Sequence, residues 1–115
     1  MKPQLIRQGD VLVKPTRRRV SVNAKPVSDR GRIILAYGEV TGHAHEVVPA
    51  TRVVNADPVP AMQLFEEPDG TRLLVVKGPA ELRHEEHGTL AIAPGSYEVI
   101  RQREYSPTAI RNVAD

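Results

Sequence analysis

The sequence predicts a single all-β domain, a small barrel or sandwich, and three observations carry that expectation. Short β-branched runs recur along the 115 residues, ten prolines and eight glycines separate them, and no segment of helical length keeps a 3.6-residue apolar stripe. Short strands with frequent turns pack as two sheets or as one closed sheet, because each strand has an apolar face to bury. The length suits one domain spanning residues 1–115. One Phe, three Tyr and no Trp leave the core to Val, Leu and Ile, and a small aliphatic core of this kind gains support from a subunit interface or a metal.

Gln-Gly-Asp-Val-Leu-Val-Lys-Pro at residues 8–15 reads as the first strand, closed by Pro15, which has no N–H for a ladder. Residues 14–32 form a basic connection. Within it Arg19-Val20-Ser21-Val22 has the composition of a short strand and Ser28-Asp29-Arg30-Gly31 that of a turn. Residues 32–36 read as a buried strand, with its neighbour at 39–48 across Tyr37-Gly38. A hairpin joins residues 62–66 to 71–76 around Glu67-Pro68-Asp69-Gly70, where proline presets its own φ and glycine accepts a positive one. Residues 80–84 and 89–93 form two more strands. Pro94-Gly95 turns into a last one at 96–103, where Tyr97, Val99 and Arg101 alternate with Glu98, Ile100 and Gln102. Ser106-Pro107 can cap and start a helix, so the tail at 106–115 reads as a helical turn around Ile110 and Val113 or as an extended arm added to another subunit.

All four histidines fall into two pairs, His43 with His45 in Thr-Gly-His-Ala-His-Glu and His84 with His87 in Arg-His-Glu-Glu-His-Gly. On a strand, residues i and i+2 share a face, so His43 and His45 project together with Val47 while Glu46 points away. His84 and His87 are spaced for a turn that Gly88 can end. Two short pairs from separate segments can complete a four-nitrogen site, or a three-nitrogen site with one open position. The absence of cysteine excludes thiolate ligands and disulfides and fits a cytoplasmic protein. The expected ligands are therefore His43, His45, His84 and His87 around a divalent transition metal, zinc first, with nickel, copper or iron open to the same imidazoles. If three histidines hold the ion and the open position activates water, Glu46, Glu85 and Glu86 are the candidate general bases. A pH-sensitive interface of His and Glu, or plain surface polarity, are the competing readings.

His-x-His at 43–45 on an expected strand, followed by Gly88-Thr89-Leu90-Ala91-Ile92-Ala93-Pro94-Gly95, resembles the metal-binding signatures of the cupin superfamily. That resemblance implies a small β-barrel and a metal role for His43 and His45. Gln8-Gly9-Asp10-Val11-Leu12-Val13, Gly38-Glu39-Val40-Thr41-Gly42-His43-Ala44-His45 and Gln102-Arg103-Glu104-Tyr105-Ser106-Pro107 are also similar to segments of a group of small uncharacterised bacterial proteins. The likeness implies one whole domain and no particular activity.

The net charge of +2 divides into +7 over residues 1–32 and −5 over residues 33–115. Arg17, Arg18 and Arg19, with Lys14, Lys25, Arg30 and Arg32, can track phosphates through charge. The region has no aromatic residue for base stacking and no helix-turn-helix, zinc-finger or RNA-recognition signature, so nucleic-acid binding is expected to be weak and sequence-independent. The same asymmetry suits head-to-tail contact between copies, hence a homo-oligomer. No apolar run approaches the roughly 20 residues of a membrane span, and the first ten residues lack the apolar stretch of a secretory signal. The sequence thus predicts a soluble, cytoplasmic, metal-binding β module acting as a homo-oligomeric binding or structural unit. A metal-dependent enzyme and a polyanion-binding module are the alternatives.

Overall fold

The computed structural model describes residues 2–37, 42–49 and 62–101. They are all-β: β1 (Ile6–Gln8), β2 (Val11–Pro15), β3 (Lys25–Val27), β4 (Ile33–Tyr37), β5 (Ala44–Pro49), β6 (Met62–Glu66), β7 (Arg72–Val76), β8 (Ala80–Arg83), β9 (Leu90–Ile92) and β10 (Gly95–Arg101). A six-stranded sheet runs β1-β2-β10-β7-β6-β3 and a four-stranded sheet runs β4-β5-β8-β9, every pairing antiparallel. The two sheets pack together and do not close into a barrel, so the sandwich is the architecture formed.

The alternation of the sequence decides which faces meet. Val11 and Val13 of β2, Met62 and Leu64 of β6, and Tyr97 and Val99 of β10 point inward from the larger sheet, against Leu35, Val47, Leu82 and Ile92 of the smaller one. Each fully buried leucine contributes about 1.5–3 kcal/mol. Tyr97, completely buried, fills the volume that the scarcity of aromatics leaves, and its hydroxyl donates to the Ala93 carbonyl. Two arginines fasten the layers. At the irregularity in β4 between Ile34 and Ala36, Arg72 donates to the carbonyls of Leu35 (2.7 Å) and Ile34 (3.1 Å), and Arg101 reaches the Tyr37 carbonyl (2.7 Å).

The hairpin of β6 and β7 forms as expected, Glu66 facing Arg72, with the Gly70 N–H donating to the Glu67 carbonyl at 2.9 Å. Asp29-Arg30-Gly31-Arg32 is a tight turn with φ of 52° at Arg30 and 78° at Gly31. Two expectations are corrected. The strand at 8–15 is a hairpin: β1 and β2 pair through Gln8 and Val11, and Gly9-Asp10 is a two-residue turn with φ of 58° at Gly9. Arg19-Val20-Ser21-Val22 is a loop, and the strand lies later, at β3. The Glu67 carboxylate, itself buried, accepts from both the N–H and the hydroxyl of Ser21, which takes that backbone out of reach of a ladder. The expected neighbour strand at 39–48 is described from residue 42 onward, and the tail at 106–115 lies outside the described residues.

Candidate metal centre

Three loops and strand ends meet at one edge of the sandwich. The β1–β2 turn brings Asp10, the start of β5 brings His43 and His45, and the β8–β9 connection brings His84, Glu85, Glu86 and His87. Pairing of β5 with β8 sets Glu46 opposite Arg83, so the histidines just outside that pair are held side by side. The four imidazoles form one cluster around His84. Its ring centroid lies 4.3 Å from that of His45, 4.7 Å from that of His87 and 5.8 Å from that of His43, while His45 and His87 stack at 5.8 Å.

Within this cluster His43, His84 and Glu85 each place a ligand atom within 4.8 Å of the other two. The donor set suits a transition ion: two imidazoles and one carboxylate leave coordination positions for water or another group. Two details prepare it. His43 Nδ1 is buried yet makes no hydrogen bond among the described residues, with Glu86 Oε1 3.4 Å away. Glu85 Oε2 accepts the Ala44 N–H at 3.0 Å; that bond and its own backbone N–H hold the carboxyl below the usual range, keeping it an anion. One detail opposes ready loading. His84 Nδ1 accepts the Glu86 N–H at 3.0 Å, which places the proton of the neutral ring on Nε2. Ligation through His84 therefore costs that hydrogen bond or a change of tautomer.

His45 is set differently. It is 2 % exposed, and its Nδ1 lies 2.8 Å from Gln8 Oε1. Gln8 Nε2 donates to the carbonyls of Leu82 (3.0 Å) and Gly88 (2.8 Å), which fixes the amide so that its oxygen faces the imidazole. His45 Nδ1 is thus the donor and Nε2 carries the lone pair, an orientation typical of a ligating histidine held from behind. Burial, and then the charge that His84 acquires on protonation, push His45 down to about 4, so it is neutral near pH 7. Its Nε2 faces Asp10 Oδ1 at 3.5 Å, two electron-pair donors across a short gap. Against the upward push of partial burial, the Arg101 guanidinium, 3.2 Å from Oδ2, holds Asp10 below the usual carboxylate range.

Of the candidate bases, Glu85 and Glu86 lie in the cluster. Glu46 turns away, as strand alternation predicts, and makes a bidentate pair with Arg32 at 3.1 and 2.8 Å. Gln8, Gly9 and Asp10 were not singled out as site residues by sequence reasoning; Gly-Asp between two apolar runs is a hairpin signal that would have placed a turn there. In the basic connection Arg18 is committed to Asp69 (3.1 Å) and Thr71 (3.2 Å), while Arg17 and Arg19 are exposed.

A family model described as a domain of unknown function (DUF8820) matches residues 7–102. No curated protein and no solved structure matches the chain. The resemblance to cupins is not supported: the match is to a domain of unknown function, and the sheets do not close into the barrel that the resemblance implied. The matched span takes in both histidine pairs and every described strand except the first residue of β1, and the chain belongs to the DUF8820 family.

Proposed function

We propose that this protein is a metal-binding β module whose divalent transition ion is held by His43, His84 and Glu85 inside the four-histidine cluster. The observation that carries the reading is the buried, unbonded His43 Nδ1 beside a second imidazole and an oriented carboxylate. A buried nitrogen without a partner is costly, and a cation relieves it. Zinc is the first choice, since imidazole and carboxylate both suit it, and nickel, copper or iron would take the same donors.

The test is metal uptake by tag-free protein. Zinc should bind stoichiometrically and raise the melting temperature, by the equivalent of about 2.7 kcal/mol at ~100-fold excess over Kd. His84→Ala, which removes the ring touching all three others, should lose the ion shared with His43 and Glu85. Unchanged uptake by that variant, or no uptake by the wild type, would sink the reading.

Three protein ligands leave a position for water, and Glu86 stands beside His43; this favours a metal-dependent enzyme as the second reading. Self-association belongs to the first reading, supported by opposed charge along the chain and by edge strands that have a ladder partner on one side only among the described residues. Sedimentation at micromolar concentration should show more than a monomer, and a monodisperse monomer at low and moderate salt would remove that part. Polyanion binding stays the third reading, with Arg18 engaged by Asp69 and Thr71 while Arg17 and Arg19 are exposed. Among the described residues no helix is long and apolar enough to cross a membrane.

A further inference from the structure

On one side of the sandwich β1 approaches β9, whereas on the other a cavity of about 300 Å³ lies between the end of β3 and β4. Val27, Ile34 and Tyr37 give it apolar wall, and Arg72 and Arg101 line it with positive charge. Among the described residues β4 has a ladder partner on one side only, yet its carbonyls at Ile34, Leu35 and Tyr37 accept from those two guanidiniums. An incoming strand would find these acceptors taken. A ligand that supplies its own acceptors meets the reverse situation, because cations in a partly enclosed, partly apolar hollow attract an anion more strongly than they do in open water.

Arg101 is the anchor. Its Nε donates to Asp10 and its Nη2 to the Tyr37 carbonyl, while Nη1 makes no hydrogen bond among the described residues. Asp29 is the only acid among the described residues of the lining, and its charge also acts on Arg32, which leaves the two guanidiniums in excess. Tyr37 is 51 % exposed and brings an aromatic ring to the cavity. We propose that this cavity binds a small molecule with an oxyanion head and an apolar body, the head on Arg101 and the body against Tyr37 and Val27. Carboxylates and phosphate monoesters share that chemistry, and the fork of a guanidinium suits either. The volume is at the lower end for ligand sites and admits a single ring with its head group. His43, His84 and Glu85 do not line the cavity, so this site is separate from the metal position.

Titration of the metal-free, full-length chain with benzoate, phenyl phosphate and benzyl alcohol tests the site, with binding followed by calorimetry and by amide ¹H–¹⁵N shifts. At least one of the two anions should bind saturably and move the amides of Val27, Ser28, Ala36 and Tyr37, and the anion that binds names the head group. Benzyl alcohol has the same ring and no charge, and should bind about tenfold more weakly or not at all. Arg101→Gln should lower the affinity for the anion about tenfold, and Tyr37→Ala, at an exposed position, should lower it severalfold. Should Arg101→Gln unfold through its lost contacts with Asp10 and Tyr37, Tyr37→Ala and the benzyl alcohol comparison carry the test. No saturable binding, equal binding of benzyl alcohol, or shifts confined to the neighbourhood of Arg17 and Arg19 would overturn the site. Each of these results leaves the metal-binding reading standing, since the protein is titrated without metal.

Discussion

Gln8→Leu is expected to destabilise the protein by roughly 3–5 kcal/mol and to free the His45 ring from its fixed tautomer. Leucine matches glutamine in size but removes three hydrogen bonds at one buried point. The carbonyls of Leu82 and Gly88 lose their donor and His45 Nδ1–H loses its acceptor, each such loss costing about 1–3 kcal/mol before relaxation. For a domain of this size that is a fall in melting temperature of at least about 12 °C. The change at His45 has a separate cause, since without Gln8 its proton can move to Nε2 and the ring can turn. Gln8→Glu separates the two effects: a carboxylate still accepts from His45 Nδ1–H but cannot donate to the two carbonyls, so stability should fall while the imidazole stays oriented. Thermal melts followed by circular dichroism, and imidazole ¹⁵N shifts that report the His45 tautomer, give the comparison for both variants. A Gln8→Leu variant as stable as the wild type would show that this network does not tie β1 to β5 and β8.

The parts of the fold that could be read from the sequence are those set by contacts near in the chain. Pro68, Asp69 and Gly70 decide the β6–β7 hairpin within a few residues, and Asp29 to Arg32 decide their own turn. The errors come from distant partners or from a rhythm that conceals a turn. Gln8 and Val11 flank a two-residue turn, so an apparently continuous strand hides a reversal of direction. Ser21 lies in a run of strand-forming composition, but a carboxylate 46 positions away captures its backbone. Lys25–Val27 forms instead, as an edge strand, where Pro26 has no ladder donor to miss.

The site divides in the same way. Histidine pairing singled out the four rings, because their scarcity elsewhere and their i, i+2 spacing are local signals. Gln8 and Asp10 gave no such signal: they reach the cluster through the pairing of β1 with β2 and the approach of β1 to β9, which periodicity does not encode. Glu85 and Glu86 are neighbours of the same chemistry. What distinguishes them is that the Ala44 N–H meets Glu85 while His43 meets Glu86, a difference of side-chain direction within one turn.

The metal-free protein should lose stability as pH falls from about 6.5 to about 4, the window between the ordinary value of a histidine and that of His45 in the fold. Above 6.5 the ring is neutral in both the folded and the unfolded chain, and its contribution is fully present. Between the two values the unfolded chain takes up a proton that the folded one resists, so the equilibrium moves toward unfolding with each step down in pH. Below about 4 both states are protonated and the contribution is gone. The size is about 2 kcal/mol, which discounts the full shift for screening through the open side of the cluster. Asp10 and Glu85, both held below their usual ranges, act in the same direction at lower pH, as their carboxylates are neutralised. Their window lies below that of His45, so the slope between pH 6.5 and 5 isolates the imidazole. Urea unfolding at half-unit pH steps in the presence of a chelator measures it. His45→Leu should flatten that upper part of the curve and leave the acid limb; a wild-type curve already flat from pH 7 to 5 would mean that His45 is not held neutral by its burial.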